Sequence, residues 1–200
     1  GFDQLLCIKN KKPYEVLVFN SDGSEADNCI NGLRCIAFLY SLNNEAVYIK
    51  DKKFVVRSTE SGAEVSGAFP VVNKKNNYYV INFGNNHIAR EYPDIEIINL
   101  ESEYIKLRSS KEFEEIKNFN LSIYKNSKNN IAIRTYENGT GETLSCGSAT
   151  ISVAYALLKD TNKNELLFAS KGGKTKVLID NESITSKANA VILKEGFLHG

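Results

Sequence analysis

Phe19-Asn20-Ser21-Asp22-Gly23-Ser24, running on to Cys29-Ile30-Asn31-Gly32-Leu33-Arg34-Cys35, and Tyr136-Glu137-Asn138-Gly139-Thr140-Gly141-Glu142-Thr143-Leu144-Ser145-Cys146-Gly147-Ser148 decide the fold, because they read as two copies of one unit. Cys29 and Cys146 are 117 positions apart. Each is preceded by an aromatic ten residues earlier (Phe19, Tyr136) and a glutamate four earlier (Glu25, Glu142), and followed by an alanine eight later (Ala37, Ala154). Asn28 and Ser145, both good N-cap types, stand just before the cysteines. Each copy reads as strand, glycine-rich turn, cysteine, then a helix apolar on nearly every side. Those helices are expected over 31–42, ended by Asn43-Asn44, and over 149–158. Two such units facing each other would set two thiols across one cleft.

Around this repeat the sequence reads as strands at 15–19, 47–49, 54–57, 63–65, 78–83 and 130–136, with several short strands over 165–193 turning at Gly172-Gly173. A short helical pattern covers 110–118, and Pro70 with Asn73-Lys74-Lys75-Asn76-Asn77 marks a seam. Strands with interspersed helices, lacking regular βαβ spacing, indicate an α+β fold. At 200 residues, 42% hydrophobic and 24% charged, the chain is neither disordered nor a disulfide-dense miniprotein. Twenty-five basic against 24 acidic residues give a net charge of +1, which argues against a nucleic-acid or membrane-surface partner. Residues 1–12 do not read as a signal peptide, so a cytoplasmic location and reduced thiols are expected. The four cysteines (Cys7, Cys29, Cys35, Cys146) and two histidines (His87, His199) lack zinc-ligand spacing, so no metal is expected. Cys7 and Cys35 read as packing residues and His199 as a solvated terminal residue.

Cys29 and Cys146 read differently, because a cysteine at a helix start feels the positive end of the macrodipole, which favours thiolate. Free N–H groups at the same helix ends hold carboxylates. Two converging helix starts therefore suit the α-carboxylate of an amino acid, with one sulfur on each face of the α-carbon. One thiolate can remove the α-proton while the opposite thiol returns another, inverting the centre without a cofactor.

These segments resemble the diaminopimelate epimerase family. Gly1-Phe2-Asp3-Gln4-Leu5-Leu6 resembles its G-x-D-Q-L-L segment, and the first cysteine unit resembles F-N-x-D-G-S…C-G-N-G-x-R-C. Gly84-Asn85-Asn86-His87 resembles G-N-P-H, and Asn120-Leu121-Ser122-Ile123 resembles N-V-N-F. The second cysteine unit resembles E-R-G-x-G-E-T-x-A-C-G-[ST]. The resemblance implies two pseudo-symmetric halves, each a curved, mostly antiparallel sheet around a central helix. The halves would be 1–70, with 188–200 returning to it, and 71–187, with the active site between them. It implies cofactor-independent epimerisation of LL- to meso-diaminopimelate, with Cys29 and Cys146 as the catalytic thiols and His87 and Glu137 assisting their proton traffic. Ile30, Asn31, Gly147 and Ser148 would lie at the α-carboxylate and α-amino end. Gln4, Asn20, Asn85, Asn120 and Asn138 would lie toward the distal end. A homodimer is the expected assembly.

Four features depart from the family pattern, one being Asn86 in place of the proline of G-N-P-H. The family begins with a further segment containing G-N-D-F. Ile30 stands where the family has glycine, bringing a β-branched side chain beside the carboxylate. Asn138 stands where the family has the arginine that pairs with the distal carboxylate. The readings left open are a racemase of another amino acid and a truncated, non-catalytic relative.

Overall fold

The computed structural model describes residues 3–116, 118–128 and 130–196. Gly1 and Phe2 of the first motif, His199, and the last four residues of the segment 188–200 lie outside the described residues. Strands β1 (Gln4–Lys11) and β2 (Tyr14–Asn20) pair antiparallel. Helix α1 (Ile30–Leu39) follows, and the chain returns as β3 (Asn43–Ile49), parallel to β2. Strands β4 (Lys52–Thr59) and β5 (Gly62–Gly67) extend the sheet antiparallel. Next come β6 (Val71–Lys75), β7 (Tyr78–Asn82), β8 (Asn86–Glu91), helix α2 (Leu100–Arg108) and a single 3-10 turn at Lys111–Phe113.

The first pattern then recurs. Strands β9 (Phe119–Ser127) and β10 (Asn130–Glu137) pair antiparallel, and the short β11 (Gly141–Thr143) folds back on β10. Helix α3 (Gly147–Leu158) leads to β12 (Glu165–Ser170), parallel to β10, and then to β13 (Gly173–Ile179) and β14 (Ile184–Asn189), both antiparallel. The repeat is visible in the pairing itself. A bridge joins Phe19 to Glu25, and Tyr136 pairs with Glu142, the same pair displaced by 117 positions. Ala37 and Ala154 are both fully buried. Strand β14 bonds β13 on one side and β5 on the other, so both copies share one sheet, ordered β1-β2-β3-β4-β5-β14-β13-β12-β10-β9-β8-β7-β6.

Strand periodicity drives the packing. Val16 and Val18 of β2, and Phe54 and Val56 of β4, are buried on alternate positions. They meet Ile30, Leu33, Ile36 and Ala37 of α1 in a core that also takes in Ile151, Val153 and Ala154 of α3. Each such apolar side chain contributes about 1.5–3 kcal/mol on burial. Helix α3 is apolar all round because β6, β7 and β8 meet it as well as β12, β13 and β14. Helix α1 packs chiefly on β4 and β5. Among the described residues no strand lies beyond β1, whereas β8 lies beyond β9. Residues Phe119 to Tyr124 of β9 are accordingly buried, while β1 is half-exposed or exposed along its length.

Several expectations need correction. Cys35 is exposed, not packed, and among the described residues no strand covers its face of α1; Cys7 is half-buried. The helix starts lie one or two residues earlier than expected, α1 ends at Leu39, and Asn43-Asn44 opens β3. The polar run at 73–77 is the exposed strand β6 and its hairpin turn, so its polarity reflects an edge strand. The pattern at 110–118 yields only the 3-10 turn, and α2 was unforeseen. Strand structure ends at Asn189. No helix among the described residues is long and apolar enough to cross a membrane.

Candidate active site

The two cysteines are themselves the N-caps of α1 and α3, in place of Asn28 and Ser145. Their backbone is extended, with φ −152° at Cys29 and −114° at Cys146. Cys29 Sγ accepts the N–H of Gly32 at 3.1 Å, taking the role a serine or aspartate oxygen has at ordinary caps. The N–H groups of the first helical residues, Ile30 and Asn31 on α1 and Gly147 and Ser148 on α3, have no acceptor within their own helices.

The two helix starts abut. A Cβ placed on Gly147 would stand 2.8 Å from Ile30 Cβ and 2.8 Å from Asn31 Oδ1. The side chain of Asn31 donates to the Ser145 carbonyl at 3.0 Å, crossing from one cysteine unit to the other. The structure thus brings Cys29, Ile30, Asn31, Cys146, Gly147 and Ser148 together. Ile30 is 1% exposed, its side chain lying in the core against Gly147. The amide of Asn31 is committed to protein partners.

Glu137 closes one side. Its Oε1 accepts the Thr143 hydroxyl at 2.6 Å, the Cys146 thiol lies against the same carboxyl, and its charge is felt by both thiols. The turn after it places Gly139 and Gly141 at φ +80° and +99°, with open space around both, so left-handed backbone and not crowding calls for glycine there. Burial raises the Glu137 carboxyl above its ordinary value, against the Thr143 and Cys146 hydrogen bonds. Ser148 Oγ lies 3.4 Å from Cys146 Sγ.

The helix-end argument led to the expectation of lowered thiol pKa values, and here it is overturned. Burial pushes Cys29 up to about 11 despite the Gly32 N–H, and pushes Cys146 up further, with the Glu137 charge adding to the effect. Removal from water outweighs the N–H bonds to the sulfurs. Both cysteines therefore rest as thiols.

His87 lies in β8, fully buried, opposite Asn120 of β9. Burial pushes it down to about 3, so its ring is neutral. Its Nε2 lies 3.0 Å from Asn85 Oδ1, an acceptor, so Nε2 carries the hydrogen and Nδ1 the lone pair. Nδ1 is buried and meets no hydrogen-bonding partner. Asn85 Oδ1 also accepts from Asn28, the residue before Cys29, and Asn28 donates to the Phe83 carbonyl at 2.7 Å. His87 is thereby tied to the Cys29 side, as Glu137 is to the Cys146 side.

The remaining expected residues fall into two groups. Gln4 donates to Asn20 Oδ1 at 2.9 Å, and Asn20 donates to Ser24. Asn120 Oδ1 accepts the backbone N–H of Asn138 at 2.9 Å. The Asn138 side chain itself is drawn to α2, accepting from Tyr104 Oη at 2.7 Å and Arg108 Nη1 at 3.0 Å. Sequence reading gave no role to Thr143 or Arg34, and took Asn28 only for a helix cap. Their polarity beside a cysteine motif was the available signal.

The fold is shared with several solved structures. A putative phenazine biosynthesis PhzC/PhzF protein from Clostridium difficile superposes with a TM-score of 0.72 at 14% identity, covering 99% of this chain and 83% of that one. A hydroxyproline epimerase from Agrobacterium vitis, with bound trans-4-hydroxy-L-proline, gives 0.60 at 10% identity, covering 92% and 71%. The family is fixed by sequence. Residues 79–193 match the model of the diaminopimelate epimerase family. The Diaminopimelate epimerase of Flavobacterium psychrophilum is 29% identical over 196 residues, 92% of this chain and 76% of that protein. That of Buchnera aphidicola is 32% identical over 206 residues, covering 83% and 69%. The chain belongs to the diaminopimelate epimerase family.

Proposed function

We propose that this protein epimerises LL-diaminopimelate to the meso form without a cofactor, using Cys29 and Cys146 as alternating base and acid. The observation that carries this reading is the abutment of the two cysteine-capped helix starts, with one carboxylate, Glu137, acting on both sulfurs. The substrate α-carboxylate would sit on the free N–H groups of the two helix starts. Because both sulfurs rest as thiols, one must first be deprotonated. Glu137, which lies against Cys146, would take the proton of that thiol, and His87, linked to the Cys29 side through Asn85 and Asn28, would serve Cys29. The thiolate then removes the α-hydrogen as a proton, and the opposite thiol delivers its own proton to the other face. The used base is left as thiol and the used acid as thiolate, so the reverse reaction restores the first arrangement. The electron pair left on the α-carbon is stabilised by N–H dipoles in a site with little water.

In this reading the substrate is a free amino acid, bound between the halves 1–70 (with 188–200) and 71–187 of a cytoplasmic homodimer. One observation favours a second substrate class: Asn138 offers no cation to a distal carboxylate, and its side chain faces Tyr104 and Arg108. The test is deuterium uptake at the α-carbon in heavy water, run on LL-diaminopimelate and on a panel of monocarboxylic amino acids. Exchange into diaminopimelate, lost in Cys29→Ala and Cys146→Ala, is expected. Exchange confined to another amino acid would select the racemase reading, and none with any substrate would overturn both.

A further inference from the structure

Arg34 lies on α1, one turn after Asn31, and is 4% exposed. Burying a guanidinium is expensive unless something offsets the lost water. Among the described residues no carboxylate pairs with it, and the ionisable groups that act on it are Cys35 and Cys29. Its two terminal nitrogens go instead to neutral acceptors. Nη1 donates to Ser186 Oγ of β14 at 2.7 Å, and Nη2 donates to Asn31 Oδ1.

The second bond has a consequence for the site. An asparagine amide can face either way, but Asn31 has a donor on one side and a carbonyl on the other. With Arg34 occupying Oδ1, Nδ2 must face the Ser145 carbonyl, which it meets at 3.0 Å. Flipped, the amide would set N–H against guanidinium and oxygen against carbonyl. Ser145 immediately precedes Cys146. The chain Ser186–Arg34–Asn31–Ser145 therefore runs from the strand that joins the two copies, through the helix capped by Cys29, to the backbone that carries the second thiol. A planar fork with two fixed donor directions can do this, and a lysine ammonium cannot reproduce it.

We infer that Arg34 is a positioning residue: acting through Asn31, it fixes where Cys146 stands relative to Cys29. Its relevance to catalysis rests on the two-thiol reading, but its test does not require activity. The alkylation rate of Cys146 by iodoacetamide is measured in the whole protein by peptide mass analysis, with exposed Cys35 as internal reference. Arg34→Lys, Asn31→Ala and the double variant form one cycle. Each single change is expected to raise the Cys146 rate about fivefold or more relative to Cys35, and the double to be no faster than the faster single, as for residues acting through one path. Should Arg34→Lys not fold, as judged by circular dichroism, Ser186→Ala takes its place in the cycle. Multiplying effects in the double variant, an unchanged Cys146 rate, or equal acceleration of all the thiols with lowered Tm would overturn the inference. If the wild type exchanges deuterium, Arg34→Lys should lower kcat about tenfold with KM little changed. A wild type without exchange would remove the proposed reaction and leave the alkylation cycle still readable.

Discussion

Gly147→Ala adds one methyl at the point where the two cysteine helices meet. The new Cβ would lie 2.8 Å from Ile30 Cβ, 3.1 Å from Ile30 Cγ2 and 2.8 Å from Asn31 Oδ1. Non-bonded carbons rest at about 3.5–4.0 Å, so the overlap approaches an ångström. Neither neighbour can give way easily. Ile30 is β-branched and buried, and Asn31 is held by Arg34 and Ser145. Overpacking of this kind costs about 1–3 kcal/mol. Against it, alanine gains up to about 1 kcal/mol over glycine in a helix. Gly147→Ala should therefore destabilise the wild type by up to about 2 kcal/mol. In an Ile30→Gly background both carbon contacts are gone and only the Asn31 Oδ1 contact remains, so the same methyl should cost clearly less. Urea unfolding of the wild type, both singles and the double measures the coupling, expected at about 1 kcal/mol. If Gly147→Ala shifts stability equally in both backgrounds, the claim that these two residues form the junction is wrong.

Three further outcomes follow from the site. The folded state resists protonating His87, whose pKa falls from 6.5 to about 3, while the unfolded chain takes the proton near 6.5. The stability it confers is whole above 6.5 and lost as pH falls toward 3, up to about 5 kcal/mol, and His87→Gln should flatten this acid limb of urea midpoints. Cys29 behaves oppositely, because its pKa is raised from 9.0 to about 11. Stability is whole below 9 and drains by about 3 kcal/mol as pH rises toward 11, a slope that Cys29→Ser should reduce. An unaltered alkaline slope in that variant would deny Cys29 its buried place. In native alkylation, exposed Cys35 should react first and buried Cys146 last; the reverse order would contradict the packing of the two helices.

How much the sequence discloses depends on where the partners lie. Helices α1 and α3 were legible because each is mostly apolar beside a cysteine, and the 117-residue spacing was legible because pairing repeats with it. Helix α2 was not: only Leu100, Tyr104 and Leu107 are buried, among charged residues at its two ends. Strand β6 was read only as a seam because its polar residues form a sheet edge in solvent. Cys35 was misread because an apolar helix implies cover on every face, and among the described residues no strand covers α1 there. In the site, the residue types were legible but their bonds were not. Asn31 meets Ser145 across 114 positions and Arg34 meets Ser186 across 152, and nothing local in the chain announces either. The direction of the thiol shifts was also beyond sequence, since a helix end is local whereas burial is a property of the whole packing.

The repeat that builds the cleft does not make its two walls alike. Offset by 117 positions, Ile30 corresponds to Gly147, Asn31 to Ser148 and Asn20 to Glu137. Cys29 has its sulfur on the Gly32 N–H and a link through Asn28 and Asn85 to neutral His87. Cys146 has a buried carboxylate and the Ser148 hydroxyl. One side thus offers an uncharged nitrogen base and the other a carboxyl that burial inclines to hold a proton. A reaction that removes a proton from one face and delivers another to the opposite face needs base character on one wall when the other is acid, and then the exchange of those roles. Two identical walls would have to break their own symmetry at each turnover. Here, repeated backbone carries the two cysteines, and in the proposed reaction their unlike neighbours would give each sulfur its own route for its proton.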